Sequence, residues 1–234
     1  MPLSDHGNAR PRAGAAWHNH AMQRIHADPA QSNAEFLLAH AAQARIGLAG
    51  GNHPIDRSIR RAQRLLTKRD DSAWSHAFLF GTRRSDDHWW VLESDIDVRD
   101  KQIRLGAQEN RLDKFFDKEE WPNLAVLDFG IDDQQARRVL ASALELLANA
   151  TRYSLREIIG TALALAHPTL RSRENLLARE GSLYCSAFVQ HCYAAIGVNF
   201  IGGLSVKNTT PHDIASSPVS HSANYLVRQA GALA

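Results

Sequence analysis

The chain is poor in cysteine, in charge imbalance and in long apolar runs, and each shortage removes a class of function. Only two of its 234 residues are cysteine, Cys185 and Cys192, and no CxxC pair occurs. A disulfide scaffold and a cysteine-based zinc site are thereby excluded. Seven residues apart on one helix, the two sulfurs would lie about 10 Å apart along its axis, too far to bridge. Net charge is only +2, from 27 basic and 25 acidic residues, so the chain lacks the electrostatic footprint of a nucleic-acid binder. Basic runs such as Arg57-Ser58-Ile59-Arg60-Arg61 read as solvated helix faces. No stretch approaches the ~20 apolar residues of a membrane span. Met1 to Ala16 lacks the apolar core of a secretion signal. The cytoplasm is the default expectation, with export by a signal-less route left open.

What is present is a sizeable core. Hydrophobic residues make up 44% of the chain and charged residues 22%, ordinary proportions for a globular protein. Residues 1–30 read as a loose polar arm. Its His18, His20 and His26 have no cysteine or carboxylate arrangement to suggest a metal site. The string His18-Asn19-His20 lacks the other residues of a nuclease motif. Helical spacing predicts helices over 32–48, ended by Gly50-Gly51, and over 55–68. Apolar and aromatic runs on either side of Thr82 to Asp87 predict a β-hairpin. Further strands are expected at 101–105 and 124–129, and helices at 136–150 (opened by Asp132), 154–166 and 183–196. The segment from Thr210 to Pro218 reads as a loop with one helical turn, and 224–228 as a closing strand. Together these predict one α+β unit: an N-terminal arm and helical extension over 1–70, then a main domain over 71–234 in which an antiparallel sheet packs against the cysteine-bearing helix.

Cys185 opens that helix, after Ser182, Leu183 and Tyr184. A helix N-terminus carries about half a positive charge, which favours a thiolate. Cys192, on the same face, reads as a small core residue. A nucleophilic cysteine needs a histidine to handle protons and a polar group to orient that histidine. Of twelve histidines, His191 points elsewhere on the helix. A hairpin turn centred between Arg84 and Ser85 sets His76 directly opposite Glu93, with Phe78, Phe80, Val91 and Trp89 on the same face. The flanking Ala77, Leu79, Trp90 and Leu92 are apolar too, so both faces look covered and the two polar residues are costly unless they pair. His88 fails the parity test. Asp95 and Asp97 share Glu93's face and are rival orienters.

Ser75-His76, Val91-Leu92-Glu93 and Tyr184-Cys185-Ser186-Ala187-Phe188-Val189, in that order, resemble the permuted NlpC-type papain-like cysteine hydrolases, in particular the YiiX-like branch. Arg152-Tyr153-Ser154 and the Thr210 to Pro218 loop are also similar, so the resemblance spans roughly residues 70 to 220. It departs from the group at Leu65 to Asp71, where a glycine-aspartate-apolar strand would be usual. Lecithin retinol acyltransferase-like relatives share the permuted order but carry Asn-Cys-Glu-His, unlike Tyr184-Cys185-Ser186-Ala187 here.

The resemblance implies a permuted papain-like fold and a cofactor-free, metal-free hydrolase. Cys185 would be its nucleophile, His76 its base and Glu93 its orienter. The backbone N–H of Cys185 would help bind the oxyanion, with Tyr184, Ser186 and Trp74 at the hole or cleft. Amide bonds in peptides or cell-wall peptides are the implied substrates. Lipid esters or thioesters are the alternative, with Trp74, Phe78, Phe80, Trp89 and Trp90 lining an acyl cleft. A non-catalytic binding protein on a retired hydrolase scaffold is the third reading.

Overall fold

The computed structural model describes residues 23–54, 56–57, 60, 73–99, 102–149, 185–203, 206 and 209–229. The expected helices over 55–68 and 154–166 fall mainly or wholly outside them. So do Tyr184, Leu65 to Asp71 and Arg152-Tyr153-Ser154.

Seven strands form one sheet. In chain order the elements are β1 (Gln23–His26), α1 (Asn33–His40), β2 (Ile46–Gly50), β3 (His76–Arg83), β4 (Trp89–Arg99), β5 (Gln102–Arg111), a 3-10 turn (Leu112–Phe115), β6 (Asn123–Asp128), α2 (Asp133–Ala148), α3 (Cys185–Ala194), α4 (Pro211–Ala215) and β7 (Ser222–Val227). The strand order is β1-β7-β6-β2-β3-β4-β5. All neighbours are antiparallel except β1 and β7, which run parallel. None of the described helices is long and apolar enough to cross a membrane.

Strand alternation divides the core into two layers. Ala77, Leu79, Leu92, Ala125 and Leu127 point to the face covered by α2 and α3, where Val139, Phe188, Val189, Cys192 and Tyr193 pack. Phe78, Phe80, Val91, Leu124 and Val126 point the other way, under Phe36 and Leu37 of α1 and Leu112 and Phe115 of the 3-10 turn. Local chemistry sets the helix starts. Ser32 and Glu35 form a capping box for α1, Asp132 and Gln135 one for α2, and Thr210 and Asp213 one for α4, each satisfying two otherwise orphaned backbone donors.

The N-terminal region differs from expectation. The arm contains β1, and the helix predicted over 32–48 stops at His40. The alanine- and glycine-rich segment after it becomes β2, a central strand between β6 and β3. Tertiary pairing overrides helix propensity here. The site of Gly47 shows why a small residue is needed. It lies across from Phe78, and a Cβ at that position would stand 2.1 Å from the Phe78 ring.

The hairpin forms, with a different register. Phe78 pairs with Glu93, Phe80 with Val91, and Arg83 with Trp89, so the ladder shifts between Phe80 and Arg83. The extra residue lies between Phe80 and Arg83, the stretch that holds Gly81, where a Cβ would come within 2.9 Å of the Trp90 carbonyl oxygen; irregular strand positions accept glycine for this kind of close approach. Residues 84–88 then close the loop, with Asp87 at φ 64. Continued to the strand end, this register sets Asp95, not Glu93, across from His76.

Gly47→Ala is expected to lose about 1–3 kcal/mol of stability, the usual cost of overpacking a filled core, measured by urea denaturation. An unchanged midpoint would show that the Phe78 ring yields freely.

Candidate functional site

His76 is the first residue of β3, and Cys185 is the first described residue of α3. The helix lies on the Ala77 and Leu79 face, whereas His76 shares the face of Phe78. Their side chains come near one another, with the thiol placed to favour the charged form of the imidazole. Nε2 of His76 is committed to Glu93 Oε2 at 2.6 Å. The ring is 5% exposed. It is stacked with Phe78 and Phe115 at centroid distances of 6.4 and 5.9 Å, and lies 6.3 Å from the tilted indole of Trp121.

Glu93 is completely buried and its two oxygens are both occupied. Oε2 holds His76, while Oε1 accepts from Asn110 Nδ2 and from Lys114 Nζ, each at 2.6 Å. Lys114 also donates to Asp95 Oδ2 at 2.5 Å. The register expected for the hairpin was displaced by two residues, yet Glu93 still reaches His76. A shift of two preserves the face of every side chain, and a diagonal pair in a ladder remains within reach of long side chains.

Charge follows from these contacts. Burial by itself would push the His76 imidazole down; the negative charge of Asp95 and the hydrogen bonds to Cys185 and Glu93 outweigh it and hold the ring well above its ordinary 6.5. Burial would raise Glu93, but the Lys114 ammonium and the bond and charge of His76 hold it well below 4.5. Burial opposes the charge on Lys114 as well, and Glu93 and Asp95 more than restore it. The contacts with Glu93 and the nearby charge of Asp95 therefore favour the protonated form of the imidazole.

Other predicted residues fall elsewhere. Trp74 is buried, with its ring 6.1 Å from that of Tyr225, and belongs to the core rather than to a cleft. The Ser186 hydroxyl is buried and donates to the Thr209 carbonyl at 2.6 Å, which ties α3 to the loop before α4. Its side chain is therefore spent on structure. Phe78 and Phe80 are buried too, so an acyl cleft lined by the whole aromatic set is not formed. Asp95 serves Lys114, and the side chain of Asp97 lies outside the described set. His88 and His191 are exposed. Cys192 is buried as expected, its thiol pushed up to about 12 by burial.

Asn110 and Lys114 are the residues that sequence reasoning missed. They come from the end of β5 and the 3-10 turn, and no local pattern marks them. His76, Glu93 and Asp95 each offer a ligand atom within 4.8 Å of the others, a separation that suits a divalent cation. Lys114 already fills the position between the two carboxylates, and an ion there would have to displace its ammonium.

The chain path is similar to that of the metalloprotein YiiX from Escherichia coli O157:H7, with a TM-score of 0.49 and 13% identity over 81% of this chain and 98% of that one. No family model matches the sequence, and no curated protein matches it.

The pair makes a signed prediction about stability. The raised His76 contributes fully below its unfolded value of 6.5, and the contribution is lost as pH rises through the folded value. The lowered Glu93 contributes fully above 4.5, and that is lost as pH falls through its folded value. The stability advantage of the wild type over His76→Gln should therefore be largest between 4.5 and 6.5 and shrink on both sides, as read by denaturation at a series of pH values. Glu93→Ala should cost about 3–5 kcal/mol, because it strands a buried ammonium and imidazolium. An advantage that grows as pH rises through 6.5 would mean that the ring is buried neutral.

Proposed function

We propose that this chain is a cysteine hydrolase of the permuted papain-like type, acting on amide bonds in peptides or cell-wall peptides. The observation that supports the reading is the buried His76–Glu93 pair, joined at 2.6 Å, with the Cys185 thiol near enough to favour a charged imidazole. A packed core histidine needs one partner, whereas this one combines a buried anion on Nε2 with a neighbouring thiol, the groups that nucleophilic catalysis requires.

In the proposed reaction the Cys185 sulfur, as thiolate beside the His76 imidazolium, attacks the substrate carbonyl carbon. A C–S bond forms and the carbonyl electrons move to oxygen. The Cys185 backbone N–H would donate to that oxyanion. Collapse of the adduct breaks the C–N bond, and the departing amine takes the proton from His76. Water then attacks the thioester and gives a proton to the now neutral imidazole. The C–S bond breaks, releasing the carboxylic acid product and restoring the ion pair. Glu93 keeps Nε2–H oriented throughout and is not itself consumed. No cofactor enters any of these steps. The burial of Trp74, Phe78 and Phe80 favours peptide over long-chain acyl substrates, since the aromatic surface that an acyl chain would need is spent in the core.

Alkylation by iodoacetamide, assigned to each cysteine by mass spectrometry, tests the reading. Cys185 should be labelled on the acid side of neutrality in the wild type, and His76→Ala should cut that rate by about tenfold or more, since a thiolate paired with imidazolium forms at lower pH than a free thiol. Cys192 should stay unlabelled. Identical pH profiles in the two proteins would overturn the proposal. Turnover of a peptidoglycan fragment set against that of a phospholipid then separates the substrate classes, with the peptide expected to be cleaved.

A further inference from the structure

The 3-10 turn Leu112–Phe115 supports both halves of the His76–Glu93 pair with consecutive residues. Phe115 stacks on the imidazole at 5.9 Å and on Phe78 at 4.3 Å. Lys114 reaches Glu93 Oε1 and Asp95 Oδ2 at 2.6 and 2.5 Å, with its side chain 10% exposed. Asn110 adds a third donor to the carboxylates but no charge.

The charges facing this point can be followed element by element. β3 brings His76, β4 brings Glu93 and Asp95, the turn brings Lys114 and α3 brings the Cys185 thiol. Asp56, beyond β2, packs at Gly51 beside Trp121. Without Lys114 the inner four would be one cation against two carboxylates two positions apart on one strand face. Those carboxylates would repel one another, and one would take a proton or turn from His76. They would also oppose any negative charge on the sulfur. With Lys114, two cations balance two anions.

We infer that Lys114 is the positioning residue of this site: clamped between Glu93 and Asp95, its ammonium keeps the Glu93 carboxylate on His76 Nε2 and cancels the negative charge that would otherwise oppose a thiolate at Cys185. The inference rests on the hydrolase reading of Cys185 and His76 given above. Lys114 touches neither the sulfur nor the imidazole, so it acts through Glu93.

The test compares Lys114→Met, which keeps the aliphatic stem and removes the charge, with Lys114→Arg, which keeps the charge. Iodoacetamide labelling of Cys185 is followed across pH in full-length protein, with the fold checked by near-UV circular dichroism. In Lys114→Met the labelling midpoint should move up by about one pH unit, a roughly tenfold loss of rate on the acid side, as expected for removing one charge several ångströms away in a partly buried site. Lys114→Arg should stay within about twofold of the wild type. Should Lys114→Met not fold, Lys114→Gln, which keeps hydrogen-bond donors without charge, carries the same expectation. A folded neutral variant with the wild-type profile overturns the inference, as does an equal shift in Lys114→Arg. Failure of the hydrolase reading looks different: there His76→Ala itself leaves the profile unchanged.

Discussion

A carboxylate removed from water keeps its charge only if cations and donors replace its hydration. Glu93 has no exposure at all, and the structure replaces that hydration from three sides: an imidazole from β3, an amide from β5 and an ammonium from the 3-10 turn. The two elements that follow the hairpin in sequence thus complete what the hairpin begins. The aromatic layer of Phe78, Phe115 and Trp121 closes around the same ring and keeps water from competing for it.

The two-layered sheet explains how Cys185 and His76 can come from different sides. The helix of Cys185 packs in one layer, and the imidazole belongs to the other. His76 stands at the first position of β3, so it can be approached around the strand end without interrupting the sheet. Buried anchors hold the helix in place. Tyr193 donates to the Ala44 carbonyl at 2.7 Å, Gln190 to Val198 at 3.0 Å and Ser186 to Thr209. Each links α3 to a different segment, which fixes the helix axis and with it the position of Cys185.

Face was legible in the sequence, whereas register was not. Alternation along β3 and β4 placed His76 and Glu93 on one side, and that survives because the register shift and the longer turn displace the pairing by two residues, an even number. The shift lies in the stretch where Gly81 meets the Trp90 carbonyl, which no two-strand pattern encodes. Residues 32–48 failed for another reason. Ile46-Gly47-Leu48-Ala49-Gly50 has weak local preference, and its strand state is imposed by β3 and β6 on either side. The capping boxes, being local, were readable, and the helix opened by Asp132 lies close to its expected place. Lys114 was invisible because its importance arises only when β5 turns back over β4. Trp74 and Ser186, expected at the cleft from their proximity in sequence to His76 and Cys185, have buried side chains, that of Ser186 bonded to the Thr209 carbonyl.

The central claim is that His76 is held as an imidazolium between a sulfur and a buried carboxylate. Nitrogen-15 NMR of the imidazole ring measures this directly. At about pH 7.5, where an ordinary histidine is mostly neutral, the account predicts that both ring nitrogens of His76 carry protons, with Nε2–H shifted by a strong bond to Glu93. A neutral ring, titrating near 6.5 like an ordinary histidine, would contradict it.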